Sequence, residues 1–283
     1  MRPTKKRIRV LASSRDKDVH PKTLEDHRQF LLDLVRLKLW FVWGWLKDHP
    51  DEAFAHAFQH RIDIYRKTNI RYEVPVPRDG DEHPKWFALV AEAEALYEKC
   101  KNDPDASRFE QLGFEMLRDT VSKRAAHDYE EGFEPVGFQC GSLRYDDAPK
   151  PQFPKRVGFH IANALAPVSI FKDPTYIPQC LMDLMAQTEA KFGAEELCTG
   201  TWLNSHPKWL RNFPQEWMDD METPTGNVGS SNGHWGQFIN ARGTLNEPLA
   251  RQLRETGKLP YSSQGSWCTF KALRRHLLEK FLG

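Results

Sequence analysis

The sequence is poor in cysteine and has no cysteine pair with the spacing of a redox or zinc motif. Its five cysteines are widely separated, and no two of them form a Cys-x-x-Cys pair: Cys100, Cys140, Cys180, Cys198 and Cys268. An odd number of isolated cysteines argues against a disulfide framework and against a structural zinc site. We therefore expect a protein of the reducing cytoplasm.

Long apolar runs are also missing. The most apolar stretch, LWFVWGWL at residues 39–46, is far shorter than the roughly 20 residues that a membrane span needs. Buried core and a subunit contact in a homodimer are its two interpretations. The basic N-terminus, MRPTKKRIRV, leads into Ser, Arg and Asp instead of a second apolar stretch, which argues against a signal peptide. We expect residues 1–22 to form a solvated basic tail.

The chain has no excess of charge of either sign. Forty Lys and Arg side chains stand against 39 Asp and Glu side chains, so nucleic acid and acidic membranes are not expected partners. The sequence contains no repeat or low-complexity tract. Its apolar content of 40% and its nine tryptophans suffice for a substantial core in 283 residues. These features predict a folded, soluble protein that acts on a small molecule.

The first half of the chain has the apolar periodicity of helices. Thr23 is a good N-cap for a helix that Pro50 ends, and the pattern continues in a second helix at residues 51–67. Two more helices are predicted at residues 84–102 and 103–132. We therefore expect a helical domain over residues 23–134.

From residue 135 to 283, strand and helix patterns alternate, which indicates a mixed α/β domain and an α+β fold for the whole chain. Residues 155–205 read as a complete βαβ unit. Its strands are Lys155–Asn163 and Leu197–Leu203, and its helix runs from the Asp173-Pro174 cap to Gly193. Further strands are predicted at residues 137–145 and 235–242, and a last amphipathic helix at 270–282.

The βαβ unit also predicts where a ligand would bind. The carboxyl ends of two parallel strands lie side by side, so Asn163 and the Asn204-Ser205-His206 segment should flank one crevice. The stretch at residues 223–236 is rich in Gly, Ser and Asn, and its length without regular structure is typical of a binding loop. We expect this loop to complete the crevice.

Several short motifs in the second half carry a resemblance to a known family. In chain order they are GSLRYD (141–146), FHIAN (159–163), CTGTWLNS (198–205), SSN (230–232), WGQF (235–238) and ALRRHL (272–277). Their shared order resembles a bacterial group of GNAT-type acyltransferases, in which a helical N-terminal domain precedes a GNAT-like C-terminal domain. The motifs cover roughly half of the chain.

The resemblance implies a sheet that splays between two parallel strands and an acyl-CoA thioester that an amine attacks there. Such a reaction needs a base, an acid and close approach of the reactants. We assign the catalytic roles to His160, His234 and Tyr261. The expected substrate-binding residues are Asn163, Trp202, Asn204, Ser205, Asn232 and Trp235. Residues 164–174 lack the glycines of the GNAT pyrophosphate loop, which leaves open whether coenzyme A is bound.

Each of these side chains also has a structural interpretation. His160 in a central strand is equally well explained as a hydrogen-bonded core histidine, and Asn204 with its neighbours as helix capping. His234 is equally well explained as a surface imidazole. A pairing of Cys198 with His160 would suit a thiol nucleophile, although a cysteine in a core strand is more commonly just buried.

Two other classes of function stay open at this point. A metal-dependent enzyme would use some of the residues His160, His206, His234, Asp173 and Glu189, and the spacing of His56 and His60 also suits a metal. A non-catalytic binding protein would present the aromatic helix around residues 40–45 to a partner or to a second copy of the chain.

Overall fold

The computed structural model describes residues 23–73, 83–130, 139–222 and 233–282. Helices and a four-stranded mixed sheet make up these residues, so the fold belongs to the α+β class and its N-terminal part is helical. The expected basic tail at residues 1–22 lies outside the described residues. Within the described ranges, no helix combines the length and the apolar character that crossing a membrane requires.

The N-terminal part consists of α1 (Leu24–Asp48), α2 (Phe54–His60), α3 (Pro84–Cys100) and α4 (Ser107–Glu130). Thr23 caps α1 as predicted: its hydroxyl accepts from the Asp26 amide at 3.0 Å, and the Asp26 carboxylate accepts from the Thr23 amide at 2.9 Å. The apolar stretch at 39–46 lies toward the C-terminal end of α1, where most of its side chains are buried in the core between the helices. Core packing is therefore the interpretation that the structure supports for this stretch.

The second helix is much shorter than the predicted range of residues 51–67. It ends at His60, and 3-10 turns follow at Tyr65–Lys67 and Asn69–Tyr72. The buried ammonium group of Lys38 donates to the carbonyl oxygens of Ile62 and Asp63, which a continued helix would need for its own hydrogen bonds. Asp63 also has a positive φ of 48°, which breaks the helical path.

The sheet contains β1 (Leu143–Tyr145), β2 (Arg156–Ile161), β3 (Glu196–Thr201) and β4 (Gln264–Thr269), in that spatial order. β2 and β3 are parallel, and both outer pairs are antiparallel. The crossover between β2 and β3 contains α5 (Tyr176–Phe192), so the predicted βαβ unit is confirmed. Gly193, with a φ of 63°, ends α5 in the left-handed conformation that favours glycine.

The strand predicted at residues 137–145 is confirmed only at Leu143–Tyr145, and two other segments of the second half differ more from their predictions. The predicted strand at 235–242 is instead a 3-10 turn at His234–Phe238, because Trp235 and Phe238, three residues apart, both pack into the helical core. The strand β4 was not expected, since its sequence, QGSWCT, is mostly polar. Its pairing with all six residues of β3 and the burial of Ser266 and Cys268 define it.

The remaining helices are α6 (Pro207–Leu210), α7 (Gln215–Asp219), α8 (Glu247–Thr256) and α9 (Phe270–Leu277), and a π-helical turn at Leu278–Leu282 follows α9. A second core lies between one face of the sheet and the helices α5, α6, α7 and α9. The turn at 234–238 and α8 instead belong to the first core. Consequently, a single boundary near residue 135 does not separate the two cores.

Candidate active site

The parallel strands β2 and β3 separate at their carboxyl ends. They form three registered pairs, from Arg156 with Glu196 to Gly158 with Cys198, although each strand continues for three more residues. Over those residues β2 stays paired with β1, and β3 stays paired with β4. The backbone pairing between the two strands therefore ends before the strands do, at the edge where α/β sheets bind ligands and where the crevice is predicted.

Beyond the last registered pair, the backbones of β2 and β3 no longer bond to each other. Side chains form hydrogen bonds with some of the backbone carbonyl groups there. The hydroxyl of Thr199 donates to the carbonyl oxygen of Phe159 at 2.7 Å and bridges the two strands. The amide of Asn204 donates to the carbonyl oxygens of Thr199 at 3.1 Å and of Gln264 at 2.8 Å, and the Asn204 carbonyl accepts from the indole N–H of Trp209 at 3.0 Å. Asn204 is therefore buried and acts as a clamp, which means that it links β3, β4 and Trp209 at the strand ends. Both the amide and the carbonyl of its side chain form hydrogen bonds.

One face of the sheet around the crevice is accessible to solvent. Gly158, His160, Cys198 and Gly200 alternate with the buried residues of β2 and β3 and are half-buried or exposed. A side chain at Gly158 would overlap the carboxylate of Asp146, whereas nothing lies within 4 Å of where a Cβ of Gly200 would be. The backbone of Gly200 is therefore accessible at the start of the crevice, with no side chain above it.

His160 stands on this open face with a carboxylate partner. Its Nε2 lies 2.8 Å from Oδ1 of Asp146, and its side chain is 59% exposed. The hydrogen bond with His160 lowers the pKa of Asp146, although the partial burial of the carboxyl acts in the opposite direction. A carboxylate that bonds to an accessible imidazole fixes the orientation of the ring, so His160 can act as a base.

Four aromatic side chains meet at the same edge of the sheet, and we call them the aromatic cluster: Phe171, Trp202, His206 and Tyr261. The His206 ring stacks on Phe171 at 5.3 Å and lies 5.4 Å from Tyr261, which in turn lies 5.5 Å from Trp202. All four side chains are partly exposed. Burial, followed by the charge of Lys208, lowers the pKa of His206 and keeps its ring neutral.

The backbone of Tyr261 is held by residues of the turn at 234–238. Gln237 accepts from the Tyr261 amide at 3.0 Å and donates to the Tyr261 carbonyl at 3.3 Å. His234 Nε2 lies 3.0 Å from the same carbonyl oxygen, and burial lowers the pKa of this imidazole. The side chain of His234 is buried behind Tyr261, in a position to support the aromatic cluster rather than to line the crevice.

The structure places the other expected binding residues in different environments. Asn163 folds its own loop, since its amide donates to the Val168 carbonyl at 3.0 Å and its oxygen accepts from the Leu165 amide at 3.0 Å. Ser205 bonds to the Ser262 carbonyl at 2.8 Å. Trp235 points into the helical core and donates to the Arg61 carbonyl at 3.0 Å. Asn232 lies outside the described residues.

Cys198 is not set up as a nucleophile. Burial raises the pKa of its thiol, and the opposing charge of Arg156 does not reverse this effect. At neutral pH the residue is therefore a protonated thiol. Cys198 pairs with Gly158 on the accessible face of the sheet. We assign it to the surface beneath the crevice and not to the reacting groups.

The residues named for a metal site are not grouped into one, although the rings of His56 and His60 lie 4.6 Å apart on α2. In the described ranges, no three His, Cys, Asp or Glu side chains are grouped so that they could hold a metal ion. Asp173 caps the turn before α5, and Glu189 pairs with Arg274 at 3.0 Å. The metal-dependent alternative has no support from this geometry.

The loop before α5 is not arranged like a pyrophosphate site. Its amides already have acceptors: that of Leu165 bonds to Asn163, that of Phe171 bonds to the Ser169 hydroxyl, and that of Thr175 bonds to Asp173 at 2.8 Å. The Asp173 carboxylate also places a negative charge directly before the start of α5, which disfavours a second anion there. This loop does not fit the pyrophosphate of coenzyme A.

Sequence reasoning missed Asp146, Phe171 and Gln237. Asp146 lies 14 residues before His160, and only the antiparallel register of β1 and β2 brings the two together. Phe171 occurs in a segment without a recognisable motif, and Gln237 belongs to the WGQF motif, but its contact with Tyr261 spans 24 residues and depends on the fold. No protein-family model matches this chain, and comparisons with curated proteins and with solved structures give no significant match either. The resemblance to GNAT-type enzymes therefore remains a proposal.

Proposed function

We propose that this protein transfers an acyl group from a thioester to an amine or hydroxyl group of a small metabolite. The observation that carries this proposal is the divergence of β2 and β3 after three residue pairs. An extended thioester arm needs a narrow slot with backbone groups along its sides, and diverging parallel strands offer one. The motif order of the second half agrees with the same chemistry.

His160 is the base in this proposal. The nitrogen of the acceptor attacks the thioester carbonyl carbon and gives its proton to the imidazole, which Asp146 orients from 2.8 Å. Two carboxylates on the open face favour a cationic or neutral amine: Asp146 lies over Gly158, and Glu222 accepts from the Gly265 amide at 3.2 Å. An amine is therefore the preferred acceptor.

Tyr261 is the acid for the leaving group. The C–S bond breaks as the tetrahedral intermediate collapses, and the departing thiolate takes the proton of the Tyr261 hydroxyl. The side chain is partly exposed in the aromatic cluster, while its backbone is fixed by Gln237. Since the loop before α5 does not fit a pyrophosphate, we expect the thioester arm, rather than the nucleotide of coenzyme A, to provide most of the recognition.

The test is release of free thiol from acyl thioesters in the presence of a panel of amines. Acyl-CoA and acyl-pantetheine serve as donors, the second one without a pyrophosphate. We expect turnover with both donors, and a loss of about 10²- to 10⁴-fold in kcat for His160→Gln. Asp146→Asn should lose less than His160→Gln, because it removes only the orienting group.

His56→Gln is the matched control. His56 is 52% exposed and pairs with Glu52 at 2.6 Å on the helical part, so it resembles His160 in exposure and in having a carboxylate partner. The His56→Gln variant should have the same activity as the wild type. Absence of thiol release with every donor and acceptor, or equal activity of His160→Gln and the wild type, would contradict the proposal.

A further inference from the structure

The short helix α2 carries two histidines four residues apart on its outer face. This helix packs mainly against α1 and α3, and it buries Phe54, Ala57 and Phe58 in the helical core. His56 and His60 lie away from that core: the side chain of His56 is 52% exposed, and His60 is half-buried. Because residues four apart on a helix are neighbours, the two imidazoles are presented together to solvent.

The separation of the two rings suits a shared metal ion. Their centroids lie 4.6 Å apart, with an angle of 45° between the ring planes. A metal–nitrogen bond of about 2.0–2.1 Å, extended by about 1.1 Å to the ring centre, places each centroid about 3.2 Å from the ion. Two rings at a right angle about the ion are then about 4.5 Å apart, and at the tetrahedral angle about 5.2 Å apart. The observed separation lies between these two values, so α2 already holds the rings at the distance that a shared ion requires.

A carboxylate behind His56 determines which ring nitrogen is left for a metal. Oε1 of Glu52 lies 2.6 Å from Nδ1 of His56. Burial raises the pKa of Glu52, but the hydrogen bonds that it accepts, led by those from Trp45 and His56, outweigh this effect and lower the pKa. Glu52 is therefore ionised at neutral pH and can only accept. In the neutral ring of His56 the proton consequently lies on Nδ1, and Nε2 keeps its lone pair.

Two further donors fix the position of Glu52. Its Oε2 accepts from the indole N–H of Trp45 at 2.7 Å, and its Oε1 accepts from Nε of Arg61 at 2.9 Å. Only 13% of the Glu52 side chain is exposed. A histidine that binds a metal commonly donates its other N–H to a carboxylate held in this way, which orients the ring and raises its basicity. The Glu52–His56 pair therefore has the arrangement of a metal ligand with its supporting carboxylate.

His60 can supply the second ligand. Its ring lies beside that of His56, and neither of its ring nitrogens forms a hydrogen bond or an ion pair with a residue that the structure describes. Binding of an ion through this ring therefore breaks no hydrogen bond within the described part of the protein. Imidazole nitrogen is a good ligand for Zn²⁺, Cu²⁺ and Ni²⁺, whereas Mg²⁺ and Ca²⁺ prefer oxygen.

We propose that His56 and His60 together bind a divalent transition-metal ion of the zinc, copper and nickel class, with water at the remaining positions. Two protein ligands leave the ion open to solvent. A structural zinc site has four protein ligands and a catalytic one has three, so this site should bind its ion more weakly and exchange it readily. The site lies on the helical part and is independent of the acyl transfer proposed above.

Calorimetry of the full chain tests the proposal, with Ni²⁺ as the probe. The protein is purified without a polyhistidine tag, treated with EDTA and dialysed. We expect saturable binding of one Ni²⁺ per chain with a Kd in the micromolar range, and no binding of Mg²⁺. Ni²⁺ should also raise the unfolding midpoint, because it binds the folded state. Absence of saturable Ni²⁺ binding would overturn the proposal.

Variants then locate the site. His56→Gln and His60→Gln should each weaken Ni²⁺ binding at least about tenfold, because the chelate needs both rings and even a supporting carboxylate contributes about 10–100-fold in affinity. Glu52→Gln should weaken it by about tenfold, since the charge behind the ring is lost while an acceptor remains. His60→Gln removes no hydrogen bond among the described residues, so it decides the matter even if Glu52→Gln does not fold. Binding that either histidine variant retains in full would overturn the assignment.

His160→Gln is the matched control for Ni²⁺ binding. His160 is also an exposed imidazole with a carboxylate partner, Asp146 at 2.8 Å, but it has no second histidine four residues away on either side. The variant should bind Ni²⁺ as the wild type does. A loss of Ni²⁺ binding in His160→Gln as large as that in His56→Gln would show that single imidazoles account for the binding, and it would contradict the shared site.

Discussion

Replacing Asn204 with alanine should destabilise the protein more than any other single change at the strand ends. The substitution removes the acceptor of the Trp209 indole N–H and the donor to the carbonyl oxygens of Thr199 and Gln264. Trp209 is fully buried, so its N–H is left without a partner, at about 1–3 kcal/mol. With the two weakened carbonyl contacts, we expect a total loss of about 3 kcal/mol.

Asn212→Ala is the matched comparison for this prediction. Asn212 is buried to the same 1% exposure, but its own carbonyl oxygen has no partner among the described residues, and its amide only donates to the end of α6. We expect its loss to cost about 1 kcal/mol. Urea unfolding at equilibrium measures both values, provided that the denaturant slope is unchanged. Equal costs for the two variants would refute the clamp role of Asn204.

Two further predictions concern acid stability and backbone conformation. Burial raises the pKa of Asp128, but partners headed by His27 outweigh it and lower the pKa to about 2. Because this folded-state pKa lies below the unfolded value of about 3.9, the stabilisation is complete above about pH 5 and is lost as the pH falls toward about 1. About 2.6 kcal/mol should disappear over that range in urea titrations of the wild type, relative to Asp128→Asn. A difference between the two proteins that stays constant with pH would contradict this assignment. Gly141 and Gly193 both have φ near 60°, yet a Cβ would lie 2.5 Å from the Cys180 sulfur only at Gly141. Gly193→Ala should therefore cost about 1–2 kcal/mol and Gly141→Ala clearly more, and equal urea midpoints for the two variants would argue against this packing.

The elements with strong end signals were predictable from sequence. Thr23 with Asp26 marked the start of α1, and Gly193 marked the end of α5, because capping depends on residues close in the chain. Parallel pairing of β2 with β3 followed from the crossover between them. β4 was not predictable, since its polar composition matches a loop and its pairing partner lies more than 60 residues away.

The polar residues at the strand ends show why site prediction was less successful. Asn163 and Asn204 stood out because amide side chains follow apolar strands, but diverging strands also leave backbone groups that such amides satisfy. The amide residues at the strand ends therefore indicated hydrogen bonding to the backbone and not a binding site. By contrast, the partnership of His160 with Asp146 depends on strand register, which composition does not reveal.

Trp235 was placed at the crevice because the segment around it reads as a strand. In a strand, Trp235 and Phe238 would point to opposite faces, whereas the 3-10 turn directs both into the helical core. Only the packing of distant helices decides between these conformations. The same turn brings Gln237 to Tyr261, so the helical part helps to position a residue of the candidate site.

The central claim, that a thioester arm binds where β2 and β3 separate, is tested most directly by backbone amide chemical shifts on titration with acyl-pantetheine. The claim predicts saturable changes at Phe159–Ile161, at Thr199–Thr201 and at Tyr261, together with unchanged amides in α1. Changes confined to the helical part, or no saturable change in either strand, would contradict it.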